Sequence, residues 1–516
     1  MIRLSNRPFQ RRHFRKFKFE EITSVETERR WPIRRIVGAV AVLGFILWRV
    51  SVLFVGSKLQ IGPETTFVNG PLTADGRIDY EAALYERMSA GVTPDNNAAV
   101  LIDRAFGPAV ISSPLRVRYF ERLGIEPLPE QGDYVVTQTV FTQQKLDGVA
   151  DRSERQEAIF KELGRAQQRP WTKDECPLAA EWLAANEKPL ELIEEATSRL
   201  HYYSPVVTSE QLLAGESNIQ NSREAARLLV TRAMLRLGEN DVAGAWSDLL
   251  ACHRLSRLVG QRSQSMIQFL VAVALDAVAT AGDAALIAHG LSAERARQCL
   301  ADHTALSSPG NAADVMQDGE RLVSLDAMQS TAGSTGFDLN VTLRRTNRMF
   351  DDTVAAMKMK GAQNRRDAFN KLETDLDQRV KTARQPLRLI ANYVIISRRA
   401  ISEMVGDTLL ALLTPAFTQA QNSDDRSRIK IDLVRVGFAL ATYKAETGGY
   451  PKELDALVPK YLDALPLDRM NDQPLRYVVR ENGFLLYSVG ANGRDDGGTM
   501  NGQKDQDDVS FEVPTS

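Results

Sequence analysis

Cysteine is scarce in this chain. Cys176, Cys252 and Cys299 are the three in 516 residues. None sits in a CxxC pair, and an odd count excludes a fully paired disulfide framework. They are expected as small buried hydrophobes. Histidine is almost as rare, with five copies and no HxxxH or HExxH spacing, so that kind of zinc or metalloprotease signature is missing. There is no GxSxG, no P-loop and no GxGxxG, which removes the nucleophile elbow, the phosphate cradle and the dinucleotide fingerprint. Asp174, Glu175 and Glu181 lack a partner carboxylate at an interpretable spacing. Cys252 and His253 are adjacent, and adjacent helical positions point about 100° apart, so they do not form a nucleophile–base pair. No catalytic motif is left, and the expectation is a protein that is not an enzyme.

What is present is ordinary globular material, 43% hydrophobic and 25% charged, enough for a sizeable core and for two to four domains by length. The net charge of -2 conceals an asymmetry. Met1 to Arg35 holds eleven Lys/Arg against four acids, whereas Asp495 to Ser516 holds six acids and one Lys. Between the basic end and the rest lies "IVGAVAVLGFILWRVSVLFV", residues 36–55. Its twenty residues carry one charge, Arg49. At ~1.5 Å per residue that covers a ~30 Å hydrocarbon core. Arg49, six residues from the end, can snorkel to the headgroups, and Trp31 and Trp48 suit the interfaces. Arg29, Arg30, Arg34 and Arg35 abut the N-terminal side, while only Lys58 is close on the other. The positive-inside rule then keeps residues 1–35 cytoplasmic and exports the rest. The expected location is a bacterial cytoplasmic membrane, crossed once. The stretch "RRHFRKFKF" is read as touching anionic lipid; nucleic acid, its rival ligand, is not expected.

Residues 76–400 read as a helical region of one domain or two. In "WTKDECPLAAEWLAANEKPLELIEEATSRL", Leu178, Trp182, Leu183, Leu190 and Ile193 keep one face apolar, and Pro189 must fall near a helix start or kink. "REAARLLVTRAMLRLGENDVAGAWSDLLACHRLSRLV" predicts a helix pair of tetratricopeptide type, with Gly238 ending one helix and Asp241 capping the next. "MIQFLVAVALDAVATAGDAALIAH" is apolar enough to span a bilayer, but Gln268, Asp276 and Asp283 favour a helix buried in a bundle. Residues 325–382 are polar, carry "STAGSTG", and read as a mobile or extended helical excursion. "LRLIANYVIIS", residues 387–397, is too short to span. The "DY…NNAA" opening within "IDYEAALYERMSAGVTPDNNAAVLIDRAFGP" and the "WLAxNxxPL" pattern resemble a group of uncharacterised membrane-anchored bacterial proteins. That likeness covers most of 76–310 and implies no activity.

The last hundred residues are more specific. Ile429, Leu433, Val436, Leu440 and Tyr443 form a helical stripe that stops at "TGGYP". "KELDALVPKYL" predicts a short helix. "LRYVVRENGFLLYSV" predicts a hairpin about Asn482-Gly483. "YSVGANGRDDGG" then leads into acids at Asp505, Asp507 and Asp508. From the residues alone, this end is either a solvated acidic tail or a loop folded around a cation. Long helix, GYP stop, "LP.D" segment, hairpin and "YSVGANG" in this order resemble the C-terminal part of the major pseudopilin of type II secretion systems. The resemblance implies an α+β module over 409–516, one helix on a small antiparallel sheet, closed by a calcium loop. Two departures stand out. No leader followed by FTLIE precedes Leu409, so prepilin-peptidase processing is not expected, and Asn492 stands where the family usually has Asp. The candidate ligands are Asn492, Asp495, Asp496, Asp505, Asp507 and Asp508. Of these, Asn492, Asp505, Asp507 and Asp508 match family positions, and Asp495 and Asp496 have no secure counterpart. Oxygen ligands and an exported location suit a structural Ca2+.

The fold class expected is therefore mainly α: a single transmembrane helix, a large helical extracytoplasmic region and a small α+β cap. The function expected is a membrane-anchored scaffold with envelope or secretion protein partners. The alternatives are an enzyme acting on an envelope polymer, with its site in the helical region near Glu181, Trp182 and Tyr202, and an atypical pilus subunit.

Overall fold

The computed structural model describes Gly44 and residues 58–514, apart from 149–150, 210–211, 213–214, 216, 331–337, 384, 386–397, 482 and 500–505. The expected span at 36–55, the 387–397 segment, Asn482 and Asp505 lie outside the described residues. The chain divides into Met1–Val52 and Leu53–Ser516, and everything described here except Gly44 belongs to the second unit.

That unit is mainly helical, with a three-stranded antiparallel sheet near its C-terminal end. The motifs of the first half become architecture. Asp79 caps the Tyr80–Met88 helix through Ala82 N–H. Asn97 caps Ala98–Phe106, and its amide also exchanges hydrogen bonds with both backbone groups of Tyr203 at 2.8 Å. In the tryptophan motif, Trp182 donates to Val136 C=O at 2.7 Å, while Asn186 accepts from Val136 N–H and donates to its carbonyl. Trp182 and Asn186 are both fully buried. The two side chains thus satisfy a loop peptide that would otherwise be orphaned in the core.

The expected helix pair is Ile219–Gly238 and Val242–Gln261, with Asp241 accepting from Gly244 N–H as the cap. Gly238 has a second reason to be glycine: a Cβ there would lie 2.0 Å from the carbonyl oxygen of Trp171. The Met266–His289 helix packs against both members of the pair. Its polar positions are buried inside protein, and Gln268, for example, donates to Val259 C=O. Among the described residues, this helix and Arg398–Thr447 are long and apolar enough to cross a bilayer by length and composition. All three cysteines are free and buried.

Residues 325–382 depart from expectation. Leu339–Met357 and Ala362–Ala383 are packed helices. They share an apolar cluster of Phe350, Phe369 and Leu376 with Leu410 and Phe417. The stretch reads as polar because the exposed faces of both helices are densely charged, which masks a sparse apolar seam.

The helix expected from Leu409 begins at Arg398 and runs unbroken to Thr447, fifty residues, with Pro415 inside it; at ~1.5 Å per residue it is about 75 Å long. Its C-terminal half is buried on two sides. Gly437 lies against Phe511 of the sheet, where a Cβ would meet the ring at 2.6 Å. About 100° around the helix, Phe438 meets Trp246 edge-on at 5.3 Å and also approaches His303. The apolar core is consequently continuous from the helical region into the sheet. β1 (Arg476–Val479), β2 (Phe484–Ser488) and β3 (Val509–Val513) run in the order β1-β2-β3. The expected hairpin is β1–β2, with Arg476 opposite Tyr487. "KELDALVPKYL" yields only a short 3-10 turn, Leu454–Leu457.

Candidate metal centre

The acidic loop connects β2 to β3, so strand pairing brings its two ends together: Ser488 lies opposite Val509. Chain reversal starts at Gly490, which has φ +65° and sits so close to Asp507 that a Cβ would lie 2.3 Å from its carbonyl oxygen. Only glycine tolerates both conditions. Asp468, the acid of the "LP.D" segment, is buried and anchors the end of β2, accepting from Ser488 Oγ at 2.7 Å and Val489 N–H at 3.0 Å.

The fold converges Asp496, Asp507 and Asp508, which offer carboxylate oxygens within 4.8 Å of one another. Asp507 Oδ2 accepts from Ala491 N–H and Asn492 N–H and faces Arg426 at 3.4 Å. Asp508 is fully buried. Its Oδ2 accepts from Asp496 N–H at 3.0 Å and Gly498 N–H at 2.8 Å, while its Oδ1 has no hydrogen-bond partner among the described residues. Burial pushes the Asp508 carboxyl up from the usual range, the two N–H groups pull it back, and the charges of Asp496 and Asp495 raise it again. A buried carboxylate with one partnerless oxygen, beside two more acids, is what a hard cation relieves, so these residues fit a calcium ion. Two arginines from outside hold the loop: Arg426, and Arg366, which donates to Ala491 C=O at 2.7 Å.

Asp495 lies apart from this group. It accepts from Tyr487 Oη at 3.0 Å and pairs with Arg476, and the N–H of Gly497 together with Tyr487 and Arg476 holds its carboxyl low. Asn492 touches the group at its edge, donating through Nδ2 to Asp496 Oδ2 at 2.9 Å. Asp496, without a secure family counterpart, is thus brought in, and Asp495 is turned toward the sheet.

The residues named for an envelope-polymer enzyme are employed otherwise. Trp182 and Tyr202 are buried, Tyr202 bonding Asn218 and Ser222, and Glu181 pairs with Lys145 at the surface. Cys252 faces Leu275 C=O, while His253 faces two aspartates, as their separation around the helix requires. Sequence reasoning missed that histidine cluster, because its members are scattered over 50 positions and meet only in the bundle. Comparison of the chain with protein-family models, curated proteins and solved structures found no match.

Proposed function

We propose that this chain is a membrane-anchored, extracytoplasmic scaffold whose C-terminal, pseudopilin-like module is locked by a structural calcium ion. Residues 36–55 would insert in the bilayer, and the helical region with its cap would face envelope or secretion proteins. The observation that carries the calcium reading is the buried Asp508, with one unpartnered oxygen, beside Asp496 and Asp507. The order of long helix, three antiparallel strands and an acidic β2–β3 loop supports the family resemblance. In this reading Asp496, Asp507 and Asp508 hold the ion, with Asp505 the remaining expected ligand. The ion supplies charge neutralisation that closes the loop; no reaction step is assigned to it. The role of scaffold rests on the missing catalytic motifs and on the structural employment of Trp182 and Tyr202.

With a Kd of ~0.1 mM and calcium at ~1 mM, occupancy stabilises the folded chain by ~1.4 kcal/mol. Calcium is expected to raise the melting temperature of the purified chain relative to chelator, and Asp508→Ala to abolish that difference. A calcium-independent melting temperature in the wild type would reduce the loop to a hydrogen-bonded acidic turn. The scaffold role is tested separately, by crosslinking in intact cells followed by recovery from detergent: a reproducible envelope partner is expected, and failure to capture one counts against docking.

A further inference from the structure

Apart from the acidic loop, the bundle interior holds a second polar cluster. His253 comes from the Val242–Gln261 helix, Asp276 and Asp283 from Met266–His289, and His303 from Ala293–Ala305. All four are buried, His253 and Asp283 completely. His253 Nδ1 lies 2.8 Å from Asp276 Oδ1, and its Nε2 lies 2.9 Å from Asp283 Oδ2. Arg257 donates to Asp276 at 2.7 Å. The His303 ring stands edge-on to His253, with centroids 5.0 Å apart.

The hydrogen bonding of this cluster is incomplete. Both ring nitrogens of His303 and Oδ1 of Asp283 are buried with no hydrogen-bond partner among the described residues. A polar group left unpaired in a protein interior forfeits its hydration with nothing in return. One atom each from His253, Asp283 and His303 lies within 4.8 Å of the others. We propose that His253, Asp283 and His303 bind a divalent transition-metal ion, zinc by preference, which ties three helices together.

The donor set argues for this class of ion. Two imidazoles and a carboxylate suit zinc and its first-row neighbours, whereas calcium and magnesium prefer oxygen alone. Zinc bonds to such ligands at about 2.0–2.2 Å, so tetrahedral ligand atoms stand about 3.4 Å apart. His253 Nε2 and Asp283 are already inside that distance, and a His303 ring nitrogen lies within 4.8 Å of both, so His303 must move closer for all three to bind one ion. On binding, the ion replaces the proton shared between His253 Nε2 and Asp283, and that proton leaves to solvent. Asp276 then remains as acceptor of His253 Nδ1–H, itself held by Arg257, the carboxylate–histidine–metal arrangement that fixes ring orientation. The burial of these side chains suits a structural ion, with a water completing the fourth position.

The test is elemental analysis of the full chain, purified in detergent without a metal-affinity tag and with calcium chelated. About one equivalent of zinc or a neighbouring transition metal per chain is expected. His303→Gln, which keeps a polar side chain of similar reach, should lose it, and Asp508→Ala should retain it. Should His303→Gln fail to fold, the wild type decides by itself: stripped with a strong chelator and reloaded with Co2+, it should hold the ion through gel filtration and show visible ligand-field absorption. Wild-type protein carrying less than ~0.1 equivalent and not retaining Co2+, or His303→Gln carrying metal at the wild-type level, overturns the proposal.

Discussion

Asparagine in place of Asp103 is expected to stabilise the chain at neutral pH and to flatten its pH dependence between about 4 and 8. Asp103 is buried on the Ala98–Phe106 helix, where it accepts from Tyr119 Oη at 2.8 Å and from Asn218 Nδ2. No salt bridge reaches it among the described residues. Burial therefore pushes its carboxyl up to about 8, against only the hydrogen bond from Tyr119. In the unfolded chain the same group ionises near ~3.9. Between those two values the folded state holds a proton that the unfolded state has released. Stability accordingly falls as pH rises through that window and is level on either side of it. Asparagine mimics the protonated acid. Its amide can donate to Tyr119 Oη, which turns its own proton to Ser204 Oγ 3.2 Å away, and its carbonyl still accepts from Asn218. The gain at pH 7 should be on the order of 4 kcal/mol. Denaturant midpoints measured from pH 4 to 8 check this: wild type should lose more stability across the range than the variant does. A variant as pH-sensitive as wild type would mean that Asp103 is ionised in the fold.

The second large effect concerns the seam. Phe438→Ala should cost about 3–5 kcal/mol, because the ring is wholly buried and edge-on to Trp246. Where the loss is felt matters as much as its size. Phe438 lies in the stretch read as a C-terminal module, while Trp246 lies in the helical region. Hydrogen exchange should therefore accelerate together in β2, β3 and the Val242–Gln261 helix. Acceleration confined to the strands would mean that the module unfolds on its own.

That seam also marks how far the sequence could be read. The stripe Ile429, Leu433, Val436, Leu440 was legible because one helical face repeats at a regular spacing. Val434 and Phe438 belong to a second buried face, and a helix apolar on two sides has no single amphipathic period to detect. The hairpin and the helix stop were legible from turn chemistry that operates over two to four residues. The "DY…NNAA" and "WLAxNxxPL" motifs were visible as patterns, but their purpose was not: nothing near Trp182 or Asn186 in sequence indicates that both serve the peptide at Val136, ~50 positions away.

The acidic loop divides the same way. Composition left it open between a tail and a loop, and it did not sort the acids. Asp495 and Asp496 are neighbours, and only the pairing of β2 with β3 sends one to Tyr487 and Arg476 and the other toward Asp508. The His253 cluster had no sequence signal beyond lone polar residues on apolar helices. Asp276 and Asp283 were noted as arguments against a bilayer span, and their partners came into view only with the bundle assembled.

The long Arg398–Thr447 helix sets an order of events during synthesis. Trp246 and His303 are made early, and the residue that covers both, Phe438, emerges more than a hundred positions later. Until then the bundle has an open flank of aromatic and imidazole surface, the kind of surface that chaperones and proteases recognise. A chain interrupted before residue 438 carries that flank permanently. The last helix is thus the closing element: this side of the bundle interior is covered only after the chain has been made nearly to its end.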